Sequence, residues 1–146
     1  MMLSLLSPDW DSAANDLNKA AVCFKVKHDE ISSKPDTHMS RNLTSVYDQV
    51  ACSWEECKAA HLRACEAYAN SGILYHAAKQ LEGAFLVCRE QGRLEEVVDL
   101  ASRSGLLYRQ AGSPESAAQM LAKAAKIVER ETPERAVSLY EKAADT

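Results

Sequence analysis

Glycine and proline are scarce in this chain, five and four among 146 residues. So few chain breakers leave no room for the many turns of a sandwich or barrel. The abundant Ala, Leu, Glu and Lys are strong helix formers, so the expected class is all-α. Long apolar runs are missing as well. Nothing approaches the ~18 consecutive apolar residues of a membrane span. The opening Met1-Met2-Leu3-Ser4-Leu5-Leu6 is too short and uncharged for a secretory signal, and the chain reads as cytoplasmic. Neither sign of charge dominates: the formal net charge is -4 and no long basic block exists. The electrostatic footprint of a nucleic-acid binder is therefore absent, and any basic contact surface is a local patch.

Motifs that carry chemistry are missing too. There is no phosphate loop, no HExxH and no dinucleotide fingerprint. His61 and His76 fall within helical segments without a Gly-rich elbow or a partner nucleophile. The acidic pairs Glu55-Glu56 and Glu95-Glu96 read as helix starts, where the helix dipole favours them. No catalytic residue and no cofactor site is assigned. The five cysteines, an odd number, read as buried thiols. Cys57, His61 and Cys65, in steps of four, share one helix face, but Cys57 and Cys65 lie ~12 Å apart along it at ~1.5 Å per residue. Zinc-sulfur bonds are ~2.3 Å, so the three do not close on one metal and read as core packing.

What is present is a repeat. Ser113-Pro114-Glu115-Ser116-Ala117-Ala118 leads to Leu121, Lys123, Ala124 and Ala125, and Thr132-Pro133-Glu134-Arg135-Ala136-Val137 leads to Tyr140, Lys142, Ala143 and Ala144. Pro8-Asp9-Trp10-Asp11-Ser12-Ala13-Ala14 reaches Leu17, Lys19, Ala20 and Ala21 in the same steps. Each unit is a capped amphipathic helix, with Ser113 or Thr132 as N-cap, Pro at the first helical position and an acid after it. Ala117 and Ala124, or Ala136 and Ala143, lie two turns apart on one face with Leu121 or Tyr140 between them. Ala leaves a hollow, and the larger residue fills a neighbour's hollow. One such helix cannot bury its own face, so the unit implies a stack.

In chain order, helices are expected near 9–25, 42–71, 73–91, 93–111, 114–130 and 133–145, with 27–40 irregular. Asn70-Ser71-Gly72, Gly92 and Gly112 act as C-terminal stops. The stretch 26–53, rich in Ser, Thr and Asp with Pro35, reads as an insertion into a single domain spanning 1–146. Ala77, Val97, Ala117 and Ala136 mark equivalent points at steps of 20, 20 and 19 residues. Two helices thus take about forty residues, slightly more than the 34 of a tetratricopeptide unit. The expected architecture is a tetratricopeptide-like helical-hairpin solenoid, a right-handed twisted sheet of antiparallel helices.

Three segments narrow the reading: the Pro8 to Ala14 stretch with Lys19-Ala20-Ala21-Val22, Tyr75-His76-Ala77-Ala78-Lys79, and Pro133-Glu134-Arg135-Ala136-Val137-Ser138-Leu139-Tyr140. Together they resemble the soluble NSF attachment proteins, most of all the gamma form, over about Pro8–Lys25 and Trp54–Thr146. The resemblance implies a cytoplasmic adaptor, peripherally associated with membranes, that binds assembled syntaxin-type SNARE complexes and recruits the hexameric ATPase NSF to take them apart. The ATPase chemistry would be the partner's. The resemblance further implies that basic residues on the inner face meet the acidic SNARE bundle, for which Lys58, Arg63, Lys79, Arg103, Lys123 and Lys142 are the candidates. It implies that Leu3, Leu5 and Leu6, just before Pro8-Asp9, touch membrane. Three departures stand out: no opening helix precedes Pro8, 26–53 has no counterpart, and the chain stops at Thr146 inside a repeat. The chain is therefore expected to be an N-terminal portion, marginally stable alone, self-associating through its last helix and unable to stimulate NSF. The competing reading is a general peptide-binding scaffold, for which a groove of converging Lys, Arg and Asn is required.

Overall fold

The computed structural model describes residues 43–146 together with Asn18, and side chains in the helical stretch from Trp54 onward. Five helices follow one another: α1 Leu43–Asn70, α2 Leu74–Glu90, α3 Leu94–Gln110, α4 Pro114–Val128 and α5 Pro133–Ala144. Among the described residues there is no strand. Asn18, inside the expected first helix, is helical, while 27–40 lies outside the described residues. The helix that holds Trp54 begins at Leu43 and runs unbroken for 28 residues. Glu55 and Glu56 are therefore mid-helix, and the dipole reading of that pair is wrong; Glu95 and Glu96 do occupy the first turn of α3.

The 20-residue step comes from three identical turns. Gly72, Gly92 and Gly112 have φ of 75°, 69° and 76°, a left-handed conformation that a side chain would strain. In each turn the glycine N–H bonds back to the third residue before it, and the next N–H bonds to the fifth: Ile73 to Tyr68, Arg93 to Cys88 and Ser113 to Tyr108. This is the helix-ending pattern that satisfies orphan carbonyls. The fourth turn has no glycine; Glu131 and Thr132 both bond to the Val128 carbonyl, and the step there shortens to 19.

Ser113 and Thr132 do stand at the N-cap positions, but neither hydroxyl caps a backbone N–H. Each is used elsewhere. Ser113 Oγ donates to Ser116 Oγ, and Thr132 Oγ1 donates back to the Val128 carbonyl of the helix just ended. Pro at the first position, which has no N–H to satisfy, starts the helix instead.

Each helix packs on the next, and ion pairs join helices two apart. Lys58–Glu96 and Arg93–Glu55 link α1 to the start of α3, Lys123–Glu82 links α2 to α4, and Arg135–Glu95 links α3 to α5. The odd helices α1, α3 and α5 therefore form one layer and the even helices α2 and α4 the other. Between them lies a core of Leu81, Phe85, Val97, Tyr108, Met120, Val128 and Leu139, each at most 2% exposed. Ala77, Ala84, Ala117 and Ala124 are fully buried, as the small positions of a close stack must be. Val97 and Ala136 join Ala77 and Ala117 in the core, so the equivalent points inferred from the repeat face inward together. Ala111 is exposed in the turn beside Gly112. Tyr140 does not fill a hollow either: it is 42% exposed, where its counterpart Leu121 is 5% exposed, because no described helix lies over that flank of α5.

Two buried polar arrangements fix the α1–α2 and α2–α3 contacts. Ser104 stands where the repeat elsewhere has Ala64, Ala84 and Ala124, and it donates from Oγ to the Ala78 carbonyl at 3.0 Å. His61 is 9% exposed, with Nδ1 2.9 Å from Gln80 Oε1. Gln80 Nε2 donates to Asn18 Oδ1, which leaves Oε1 as the acceptor, so Nδ1 of His61 carries the proton. Cys57, Cys65 and Cys88 are buried. Burial raises the Cys65 pKa and pushes Cys88 up to about 11, with the Glu96 carboxylate adding to the latter. Thiols so far from the thiolate form are packing groups.

Candidate functional site: two charged faces

The surface of each layer carries a different set of side chains. On the odd layer, Lys58 is already committed to the fold. Its side chain is 15% exposed, and its ammonium sits 3.1 Å from Glu55 and 2.9 Å from Glu96. Burial alone would lower its pKa, but the two carboxylates outweigh burial and raise it. Glu96 is held below the usual carboxylate value, first by the Lys58 hydrogen bond and then, against its slight burial, by Arg93.

Beside this cluster, a groove of about 390 Å³ runs between α1 and α3, floored by Leu62 and Leu100 and edged by Lys58, Glu95, Glu96, Asp99 and Arg103. Two cations and three carboxylates line it, so it has no strong sign. Steps of 40 and 39 residues place Arg63, Arg103 and Lys142 at the same repeat position on α1, α3 and α5, and all three are exposed. Arg63 and Lys142 make no ion pair with the described residues, while Arg103 has Asp99 at 3.9 Å. Each cation of this row has an exposed carboxylate three or four residues away: Glu66 and Asp99 on the same helix as Arg63 and Arg103, and Asp145 just past the end of α5 for Lys142.

The even layer is organised around one carboxylate. Glu82 accepts from Lys123 Nζ at 3.0 Å and from the Tyr108 hydroxyl at 3.0 Å, with Lys79 Nζ at 3.5 Å. Burial would raise the Glu82 pKa, but the hydrogen bonds from Lys123 and Tyr108 outweigh it and hold the group below the usual value. Tyr108 moves up for the matching reasons, burial first and the Glu82 charge second.

Lys79 and Lys123 thus meet over a shared partner. Lys126, which sequence reasoning passed over, is exposed and makes no ion pair with the described residues. Its signal was the spacing of three from Lys123, which puts both on one face of α4. Tyr75, also missed because it was read only as part of a family segment, is 41% exposed on α2. Its ring meets the Tyr108 ring edge-on at 5.4 Å, and the Lys79 ammonium lies 6.0 Å from its centroid.

The structure therefore divides the six candidate cations. Lys79 and Lys123 come together on the even face; Arg63, Arg103 and Lys142 form a row on the odd face; Lys58 is internal to the odd layer. Leu3, Leu5 and Leu6 lie outside the described residues. Among the described residues no helix is long and apolar enough to cross a membrane, and no group of three His, Cys, Asp or Glu converges as a metal site would require.

Consecutive antiparallel helices of constant repeat length, stacked in two layers, define a helical-hairpin solenoid of the tetratricopeptide-like class. Its sequence carries a more particular signature: the model of the soluble NSF attachment protein family matches residues 47–146, nearly the whole helical array. The chain belongs to that family. It is 31% identical over 121 residues to a gamma-soluble NSF attachment protein of Dictyostelium discoideum, covering 83% of this chain and 30% of the relative. It is 28% identical over 106 residues to the gamma-soluble NSF attachment protein of Arabidopsis thaliana, covering 68% of this chain and 36% of the relative. The chain thus spans about a third of the length of the curated relatives it matches.

Proposed function

We propose that this chain acts as an adaptor in vesicle-mediated transport and membrane fusion, docking assembled SNARE bundles on its helical array and recruiting NSF, which supplies the ATP-driven disassembly. The observation that carries this reading is the family match, which covers the same residues that build the two-layered array. A layered array of rigid helices with charged outer faces suits an adaptor, because it presents fixed groups to a large partner and needs no chemistry of its own. A pull-down comparing an assembled syntaxin-type SNARE bundle with free peptides tests it. The chain is expected to retain the bundle, and retention is expected to fall with rising salt, as steered contacts between exposed charges do. Retention of free peptides but not of the bundle would replace this reading with that of a general peptide-binding scaffold.

Membrane contact through Leu3, Leu5 and Leu6 belongs to the same proposal and rests on the sequence. Each large apolar side chain contributes about 1.5–3 kcal/mol when fully buried, so three give weak, reversible attachment. Changing all three to Ser is expected to lower co-sedimentation with liposomes. Unchanged co-sedimentation would remove the membrane role from these residues.

A further inference from the structure

Three of the four prolines follow a hydroxyl residue: Ser7-Pro8, Ser113-Pro114 and Thr132-Pro133. A hydroxyl residue followed by proline is what proline-directed kinases read, because the proline brings no N–H that the kinase cleft would have to pair. Many kinases of this class also require a cation at the third residue after the hydroxyl. There the chain has Trp10, Ser116 and Arg135 respectively, so Thr132-Pro133-Glu134-Arg135 alone meets both conditions.

The fold leaves this stretch accessible. Arg130, Glu131, Pro133, Glu134 and Arg135 are all exposed, and Thr132 itself is half-buried. The Thr132 hydroxyl caps no backbone N–H and makes only a long bond, 3.3 Å, back to the Val128 carbonyl. The first turn of α4 is held between α3 and α5, whereas α5 packs on α4 and has no described helix over its other flank. Opening the first turn of α5 to enter a kinase cleft therefore breaks fewer contacts than opening that of α4.

Arg135 gives the modification a consequence. Thr132 immediately precedes α5 and Arg135 is the third residue of that helix, a relation in which the two side chains reach each other, as in a capping box. In the unmodified chain Arg135 is paired with Glu95 and so joins α3 to α5. Both members of that pair are exposed, at 45% and 78%, so it yields easily. A phosphate brings nearly two negative charges and three acceptor oxygens, which makes it a stronger partner for an arginine fork than one carboxylate is. Of the other charges about the turn, Glu129, Glu131 and Glu134 repel a phosphate, and Arg130 lies on the side of the helix just ended. We propose that Thr132 is a phosphorylation site for a proline-directed kinase, and that its phosphate takes Arg135 from Glu95 and so releases the ion pair that joins α3 to α5. ATP supplies the group: Thr132 Oγ1 bonds to the γ-phosphorus as the bond from that phosphorus to the β,γ-bridging oxygen breaks, ADP leaves, and the hydroxyl proton passes to the catalytic aspartate of the kinase.

Two measurements on the full chain test the two halves of the proposal. In the first, the folded chain is incubated with ATP and a cyclin-dependent kinase, and the phosphate is mapped by mass spectrometry. Thr132 is expected to be modified about tenfold or more faster than Ser113 or Ser7, which lack the cation. No phosphate at Thr132, or equal rates at Thr132 and Ser113, overturns the site. In the second, phosphothreonine is installed at position 132 during translation and its second ionisation is followed by phosphorus NMR. A cation in contact favours the dianion and lowers the midpoint, so Arg135→Gln is expected to raise it by about half a pH unit. Arg130→Gln removes the same charge from the other side of the turn and is expected to raise it less. Glu95→Gln, which removes the competing partner, is expected not to raise it. Equal shifts from Arg130→Gln and Arg135→Gln, or none from either, overturn the exchange of partners.

Discussion

Replacing Ala124 with Leu is expected to lower the melting temperature by several degrees, whereas the same change at Ala122 leaves it nearly unmoved. Ala124 is fully buried in α4, at the repeat position held elsewhere by Ala64, Ala84 and Ser104, all fully buried as well. At such a position, neighbouring helices approach because the side chain is small. A leucine adds three carbons where packing is already at crystal-like density. Forcing them in costs about 1–3 kcal/mol through displaced backbone and off-rotamer side chains. In a domain of this size, each 1 kcal/mol moves the transition by about 2–4 °C. Ala122, two residues earlier and only partly buried, has room for the larger side chain to turn toward solvent. Thermal unfolding followed by circular dichroism measures both, and equal melting temperatures would disprove the stacking register.

Gly83→Ala reaches a comparable size by a different route. In an ordinary helix interior this change stabilises, by about 1 kcal/mol. Here a methyl group on residue 83 would lie 2.6 Å from Nδ1 and 2.8 Å from Nε2 of His61, and closer still to the carbon between them. The ring cannot simply swing aside: it is nearly buried and donates from Nδ1 to Gln80, which in turn donates to Asn18. Moving it breaks a buried hydrogen bond, and an unsatisfied buried group costs about 1–3 kcal/mol. The net result is expected to be a loss of stability despite the gain in helix propensity. The double variant Gly83→Ala with His61→Ala is expected to lose less than the sum of the two single changes, because the clash is gone. Strict additivity in denaturant melts would rule out the packing of His61 on Gly83.

Much of this architecture is legible in the sequence because the repeat writes it several times. The Pro-acid starts, the glycine stops and the 20-residue step place the four helices after α1 within about two residues at each end, and Ala77, Val97, Ala117 and Ala136 all point inward as their spacing requires. The failures have local causes. Ser113 and Thr132 are at cap positions, yet Ser113 Oγ donates forward to Ser116 Oγ and Thr132 Oγ1 donates back to the Val128 carbonyl, a competition that only the bonded geometry reveals. Ser104 and the pair His61–Gln80 are hidden because a polar residue on an apolar face gives no sequence sign of its partner, which lies on the adjacent helix.

The candidate surface was half legible. Choosing single cations by their family likeness mixed two faces, because that choice ignores whether a helix is odd or even. The step of two helices, read across the chain, would have set Arg63, Arg103 and Lys142 apart from Lys79 and Lys123. Tyr75 needs the structure, since its distinction is to be exposed and yet in edge-on contact with Tyr108 on the next helix.

The ion pairs that skip a helix also change how the array comes apart. A solenoid joined only between neighbours behaves as a row of dominoes, each unit free to open once the one beside it has gone. Here Glu96 answers to Lys58, Glu82 to Lys123 and Glu95 to Arg135, so a unit that loosens is still tethered across the gap. Correlation therefore extends over two helices instead of one, and it weakens as added salt screens the exposed members of these pairs. Ionic strength thus sets the length over which the chain frays as one piece, a property of its mechanics that no single pair possesses.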